Sequence, residues 1–338
     1  MDKNYRVYFP EMGKVALEEC PIPEVGDDEV LLKAEISQIS TGTEMTVLYG
    51  GWDGNVSFPC YGVGYSNYGT VVAIGKNIPK EYLGKKMMTI NPHKKYSIVK
   101  NTPDRGYHDM VFAPEGADPE DAVFATLAVV ANGSIRCSQI RPGEACVIYG
   151  AGIVGQMMAR LAKLAGSTTI IVADVSDKRL DMVPKDPCFI TVNSQITNVP
   201  KFVKEMFAKD GGVPYVFETT GVGALAQEEL NCLCKRGKLI ITSSPKGTST
   251  IDLNYVNTQG LSIIGAHNGV VHPVVETPFN RWTRRRDTDF ILDAMAKGMF
   301  SVKDLTTHRF NYMDAVAAYD MLIKDRTQAM SVVLDWRD

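Results

Sequence analysis

Apolar and polar residues alternate in short runs through the first third of the chain. EVLLKAEI, GTVVAIG, KMMTI and HDMVFA, from Val30 to about Val111, are β-branched and apolar, with Pro21, Pro23, Gly26 and Asp27 supplying turn signals. That pattern predicts short strands and a compact β domain. After APEGADPEDA, the stretch AVFATLAVVANGSIRCSQI reads as a buried helix. From Ala145 the period changes. ACVIYG, TTIIVAD, PYVFETTG, GKLIITS and LSIIGA are apolar runs separated by amphipathic segments such as MMARLAKLA. Such alternation predicts βαβ units and a doubly wound parallel sheet with helices on both faces. Helices near DFILDAMAKG and MDAVAAYDMLIKD and a strand at AMSVVLDW no longer follow that order and are expected to return to the first domain. No internal repeat or low-complexity segment interrupts the pattern.

Length and charge narrow the picture. At 338 residues the chain exceeds one ordinary core, so two domains are expected. The boundaries read from the pattern are 1–138, with 300–338 returning to it, and 139–299. A net charge of -3 with 22% charged residues gives no general attraction to nucleic acid or anionic lipid, which favours a small-molecule substrate. No apolar stretch suits a signal peptide or a membrane span, so a cytoplasmic location is expected. The 7 cysteines are scattered without C-x-x-C spacing and read as reduced thiols, mostly in the core. Cys232 and Cys234, in LNCLCKRG, read as a packed element end rather than a metal pair.

VIYGAGIVGQMMARLAKLAG holds G-x-G-x-x-G as Gly150, Gly152 and Gly155, between a predicted strand and a predicted helix. The first glycine permits a tight turn, the second lets backbone approach a pyrophosphate, and the third allows close helix packing beside free N–H groups. The next strand ends in Asp174, about twenty residues on, where an acid can bind the adenosine ribose hydroxyls. Gly150, Gly152, Ile153, Val154, Gly155, Asp174 and Arg179 are the candidate cofactor contacts. Asp174 would repel a 2′-phosphate, so NAD is favoured over NADP. Lys178 and Arg179 read as solvated charges at a helix start, or as groups that soften this preference.

A β domain, a linking helix, a Rossmann unit and a C-terminal return together resemble the medium-chain dehydrogenase/reductase superfamily over essentially the whole chain. GAGIVG with Asp174, GYSNYGTVVAIG and AVAAYDML followed by SVVLDW carry the likeness. The resemblance implies an α/β fold with a GroES-like catalytic domain beside the Rossmann domain, and homodimers or tetramers formed near Leu261 to Gly265. Zinc members of that superfamily have C-G-x-D where this chain has Thr41-Gly42-Thr43-Glu44, and G-H-E where it has Gly64-Tyr65-Ser66. The third ligand position falls in Ala125-Thr126-Leu127, and a four-cysteine zinc lobe is missing. Zinc needs three or four N, S or carboxylate ligands, so no metal is expected here. GTE and Pro-His signatures of this kind are similar to those of zinc-free branches such as the bacteriochlorophyllide dehydrogenase-like proteins.

Without zinc, side chains must handle the proton and polarise the carbonyl. Glu44 is a candidate base or an ion-paired structural acid. Tyr65 and Thr41 are candidate hydrogen-bond donors to the substrate oxygen, unless Tyr65 only packs. His93, in INPHKKY, is a candidate acid/base or a surface turn residue. His108, alternating in GYHDMVF, reads as structural. The segment Gly265 to Asp287 carries His267, His272 and Trp282, which could close over a hydroxylated substrate. Arg284 to Arg286 read as a solvated run.

These observations predict an NAD-dependent, zinc-independent oxidoreductase. It would take hydride from a secondary hydroxyl of a sugar, sugar derivative, polyol or cyclitol. Three other readings stay open: a glycoside-cleaving enzyme working by transient oxidation and elimination, a quinone or enoyl reductase, and a non-catalytic NAD-binding protein.

Overall fold

The computed structural model describes residues 2–51, 54–101, 110–273 and 275–337. His108 lies outside the described residues. Contacts divide the chain into two units, 1–126 with 274–338, and 127–273. The sequence pattern draws these limits at 138 and 299. The helix Arg284–Ala296 joins the first unit because it packs on Pro119–Ala122 and on the strand Val111–Phe112, and Arg285 Nη1 donates to the Met110 carbonyl at 3.0 Å. Most of the helix Ala125–Ser138 joins the second unit, where Lys238 Nζ donates to Ser138 O at 2.9 Å.

In the first unit, strands Thr306–Asn311, Ser331–Asp335, Glu29–Ile39, Asn67–Ile74, Lys86–Thr89 and Val111–Phe112 form one sheet in that order, and Tyr96–Lys100 also pairs with Glu29–Ile39. All pairs are antiparallel except Thr306–Asn311 with Ser331–Asp335. Among the described residues, two core clusters of this unit stand out. Val30, Leu32, Val71, Met87 and Val99 gather in one, and Phe9, Ile39, Leu48, Tyr319 and Trp336 in the other. The helix Ala315–Asp325 enters the second core because Ala315, Ala318, Tyr319 and Leu322 recur at helical spacing on one buried stripe. Burying each large side chain of that stripe stabilises the unit by roughly 1.5–3 kcal/mol.

The second unit is a parallel sheet of Phe189–Asn193, Thr169–Asp174, Ala145–Tyr149, Val213–Glu218, Leu233–Ile241 and Ser262–Gly265. Numbered within the unit, the order is 3-2-1-4-5-6, the doubly wound Rossmann arrangement. The chain reverses direction across the sheet between Ala145–Tyr149 and Val213–Glu218, and ligands of such sheets bind beyond the carboxyl ends at that point. The near-continuous apolar runs reflect strands covered on both faces, and Ala145–Tyr149 is buried throughout. Ser262–Gly265 is mostly exposed at the sheet edge.

All 7 cysteines are free. Burial pushes the thiols of Cys146 and Cys232 up to about 12, so both are unreactive core groups. Among the described residues no helix is long and apolar enough to cross a membrane.

Candidate functional site

The glycine-rich turn follows strand Ala145–Tyr149. Gly150 has φ +101, which L side chains rarely adopt, and a Cβ on Gly155 would lie 1.8 Å from Gly150 O. Both positions therefore require glycine. Gly152 caps the helix Ile153–Leu164, and a Cβ added there meets nothing within 4 Å. Ile153 and Val154 open that helix. Space above Gly152 and the N–H groups of the first turn suit a pyrophosphate.

Asp174 ties the next strand to this turn. Its Oδ2 accepts from Ala151 N at 2.7 Å and its Oδ1 from Ser176 N at 2.8 Å. A carboxylate has about four acceptor sites, so capacity remains for ribose hydroxyls. Arg179 Nη1 stands 3.8 Å from Asp174 Oδ2, and is thus paired rather than simply solvated. Sequence reasoning missed Thr219, whose hydroxyl donates to Tyr149 O at 2.7 Å and contacts Gly150 O at 3.1 Å. It braces the turn from the neighbouring strand end.

The second polar cluster lies in the other unit. STGTEM forms the entry to the helix Thr43–Leu48, and Glu44 turns back so that its Oε1 accepts from Ser40 N at 2.8 Å. Its Oε2 accepts from the Tyr319 hydroxyl and lies 3.2 Å from His93 Nε2. His93 Nδ1 meets Ser37 Oγ at 2.7 Å, and Trp336 Nε1 donates to the same oxygen at 2.8 Å. One assignment satisfies every group. The carboxylate accepts, His93 Nε2–H donates to it, and the Ser37 hydroxyl, accepting from Trp336, donates to His93 Nδ1.

His93 and Glu44 are only 1% and 2% exposed. The surface-turn reading of His93 is therefore corrected: both groups are buried and hydrogen-bonded. Burial first, then the Glu44 charge, pushes the Tyr319 phenol well above its ordinary value, so it stays protonated and donates. Tyr319, Ser37 and Trp336 are absent from the sequence-based candidates. The available signal is a tyrosine on the buried stripe of AVAAYDML, since a buried phenol requires a partner.

Tyr65 is half-buried, and its hydroxyl donates to Ser40 Oγ at 2.6 Å and lies 3.4 Å from Thr43 Oγ1. Burial raises its pKa, partly offset by those two hydroxyls, while the Glu44 charge raises it and the Arg284 charge lowers it. It is a phenol at neutral pH and a donor. Thr41 stands half-buried beside Ser40. Arg284 is 7% exposed, which corrects the solvated-run reading. Arg285 and Arg286 pair with Asp289 and Glu276.

The proposed substrate residues are spread over both units. His267 caps the short helix Asn268–Val271 by accepting from Gly269 N, and His272 lies over Gly133. Trp282 packs edge-on to Phe290 with Arg286 over its ring.

Residues 154–282 match the family model described as zinc-binding dehydrogenase. A zinc-type alcohol dehydrogenase-like protein of Escherichia coli is 25% identical over 99% of this chain and 100% of its own length. These matches make the chain similar to dehydrogenases of the medium-chain dehydrogenase/reductase superfamily and support an oxidoreductase. Two solved structures share the superfamily fold. An oxidoreductase/dehydrogenase of unknown specificity from Escherichia coli superposes with a TM-score of 0.85 at 21% identity, covering 100% of both chains. Galactitol-1-phosphate dehydrogenase from Escherichia coli gives a TM-score of 0.81 at 16% identity, covering 98% of this chain and 99% of its own.

The zinc of this superfamily does not fit the residues present. On the resemblance, Thr41 and Tyr65 fall at two usual ligand positions, and Thr126, in the stretch of the third, hydrogen-bonds Met88 Sδ at 3.2 Å. Among the described residues no group of three or more His, Cys, Asp or Glu could hold a metal ion.

Proposed function

We propose that the protein is a zinc-independent, NAD-dependent dehydrogenase acting on a secondary hydroxyl of a sugar, sugar derivative, polyol or cyclitol. The observation that carries this reading is the Tyr65 hydroxyl. It stands at a usual metal-ligand position, donates to Ser40 and lies near Thr43. A donor there can take over the polarising role of a metal, since stabilising charge on the substrate oxygen is the main demand of the step.

Gly150, Gly152, Ile153, Val154 and Gly155 would hold the pyrophosphate of the dinucleotide, and Asp174 its ribose hydroxyls. Once bound, the dinucleotide supplies the hydride acceptor in oxidation and the donor in the reverse direction. As hydride leaves, the Tyr65 oxygen takes the substrate hydroxyl proton while its own O–H proton passes to Ser40 Oγ, and the new O–H then donates to the substrate oxygen. Thr41 adds a further hydroxyl. Ser40, Thr41, Thr43 and Tyr65 together suit a substrate with neighbouring hydroxyl groups, as does the likeness to a galactitol-1-phosphate dehydrogenase.

Glu44 and His93 act in this reading as positioning residues. Glu44 reaches the N–H of Ser40, whereas Tyr65 reaches its Oγ. The side-chain hydrogen bonds thus meet at Ser40 without joining, so the buried network clamps the loop and conducts no proton. Asp174 disfavours a 2′-phosphate and supports NAD, with Arg179 offsetting part of its charge.

The decisive experiment is NADH formation by chelator-treated protein across polyols, sugars and glycosides. Turnover that survives chelation and collapses in Tyr65→Phe supports the reading. Turnover restored only by added zinc, or unaffected by Tyr65→Phe, sinks it. Glycoside consumption without net NADH would move the assignment to transient oxidation.

A further inference from the structure

Outside both clusters, a carboxyl group is buried without a hydrogen-bond partner among the described residues. Glu229, on the helix Ala226–Asn231, is 1% exposed, and neither of its oxygens has a hydrogen-bond partner among the described residues. A carboxyl in such a place is far costlier to bury charged than neutral. The charged groups acting on it are also carboxyls, Glu218 at the end of Val213–Glu218 and Glu228 on its own helix.

Glu218 is buried too, but fully served. Its Oε1 accepts from Thr220 N at 2.6 Å, Gly221 N at 2.7 Å and the Thr220 hydroxyl at 2.8 Å, and its Oε2 takes the Ser243 hydroxyl. Those bonds close the turn that carries Thr219, the residue bracing Gly150. A buried carboxyl that finds no donors keeps its proton, because nothing there stabilises its charge.

We propose that Glu229 is a proton-holding residue of the dinucleotide unit: it stays protonated at neutral pH behind the turn that Glu218 closes beside Gly150. Other titratable groups around it do not supply a counter-charge in contact with it. Tyr149 donates to Glu228 Oε1 at 3.1 Å, and the Cys232 thiol is held protonated by burial. Lys204, on Val199–Met206, exerts its field on Cys232. From Leu233–Ile241, Lys238 is engaged by Ser138 and Gln139, Cys234 is half-buried, and Lys235 and Arg236 are exposed. The turn Gly223–Leu225 brings no titratable group.

Burial, followed by the charges of Glu218 and Glu228, raises the Glu229 carboxyl from 4.5 to about 8. Between those values the folded unit keeps a proton that the unfolded chain releases. Stability therefore falls as pH rises through this window, by up to about tenfold in the folding equilibrium per pH unit, and levels off above it.

The test compares full-length wild type, Glu229→Gln and Glu229→Leu by thermal unfolding from about pH 5 to about pH 9. Infrared difference spectra of the carboxylic C=O stretch are recorded alongside. Neither substrate nor cofactor is needed. A wild-type Tm that falls with pH against flatter profiles in both variants is expected, together with a protonated-carboxyl band at neutral pH that both variants lose. Parallel pH profiles, or no such band in the wild type, overturn the proposal. Should Glu229→Gln fail to fold, the Leu variant and the wild-type band still decide.

Discussion

The glycine-rich turn at 150–155 and the hydroxyl loop at 40–44 both gather polar groups, but by different means. In the first, backbone groups are what the turn presents, and the requirement falls on Gly150 and Gly155, five residues apart, whose side chains must be absent. In the second, side chains make the cluster, and they arrive from five separated segments: Ser37 with the loop itself, Tyr65, His93, Tyr319 and Trp336. A site made of backbone tolerates almost no added atoms. A site made of side chains tolerates changes of shape but not the loss of a partner.

The largest effect is expected at Gly155, where an added Cβ would sit 1.8 Å from Gly150 O. Gly155→Ala should cost about 3 kcal/mol or more and lower NADH affinity by roughly two orders of magnitude, read by fluorescence titration and urea unfolding. Normal binding in this variant would remove the backbone account of the turn. Glu44→Ala should cost about 3 kcal/mol by urea unfolding, because it strips acceptors from Ser40, Tyr319 and His93 at once. NADH binding should barely change, which would keep the two regions energetically apart.

Tyr65→Phe sharpens the comparison from the chemical side. It removes one donor from a half-buried position, so turnover should drop by about 100-fold with Tm nearly unchanged. A parallel loss of Tm would make Tyr65 a packing residue instead. Asp174→Ala should shift the NAD to NADP preference by roughly tenfold toward NADP, measured as the ratio of the two affinities. No change in that ratio would mean that Arg179, 3.8 Å from the carboxylate, already cancels its charge.

The ease of reading each region from sequence follows from the same difference. Strands of the parallel sheet are legible because both faces are covered, so ACVIYG and TTIIVAD stand out as apolar runs. The glycine motif is legible because its parts are neighbours in the chain. STGTEM signals a loop with one acid, and nothing local tells whether Glu44 faces solvent, substrate or a phenol. His93 illustrates the limit. A histidine after Asn-Pro suits a surface turn equally well, yet its ring sits between Ser37 and Glu44. Arg284 illustrates the converse, being one of three adjacent arginines and the only one of them buried.

The sequence by itself determined the periods of the elements, the glycine-rich turn with its acid, and the Thr41 and Tyr65 side chains on which the zinc-independent reading rests. Each depends on spacing along the chain or on the chemistry of a single side chain. Only the tertiary structure decided that Glu44 is enclosed by Tyr319, His93 and Ser40, that Tyr65 joins Ser40 and Thr43, and that Glu229 is buried with no hydrogen-bond partner among the described residues. Those outcomes depend on which distant segments meet when the core closes. A carboxyl group takes its charge state and its role from the donors and burial it finds there, which local sequence does not encode.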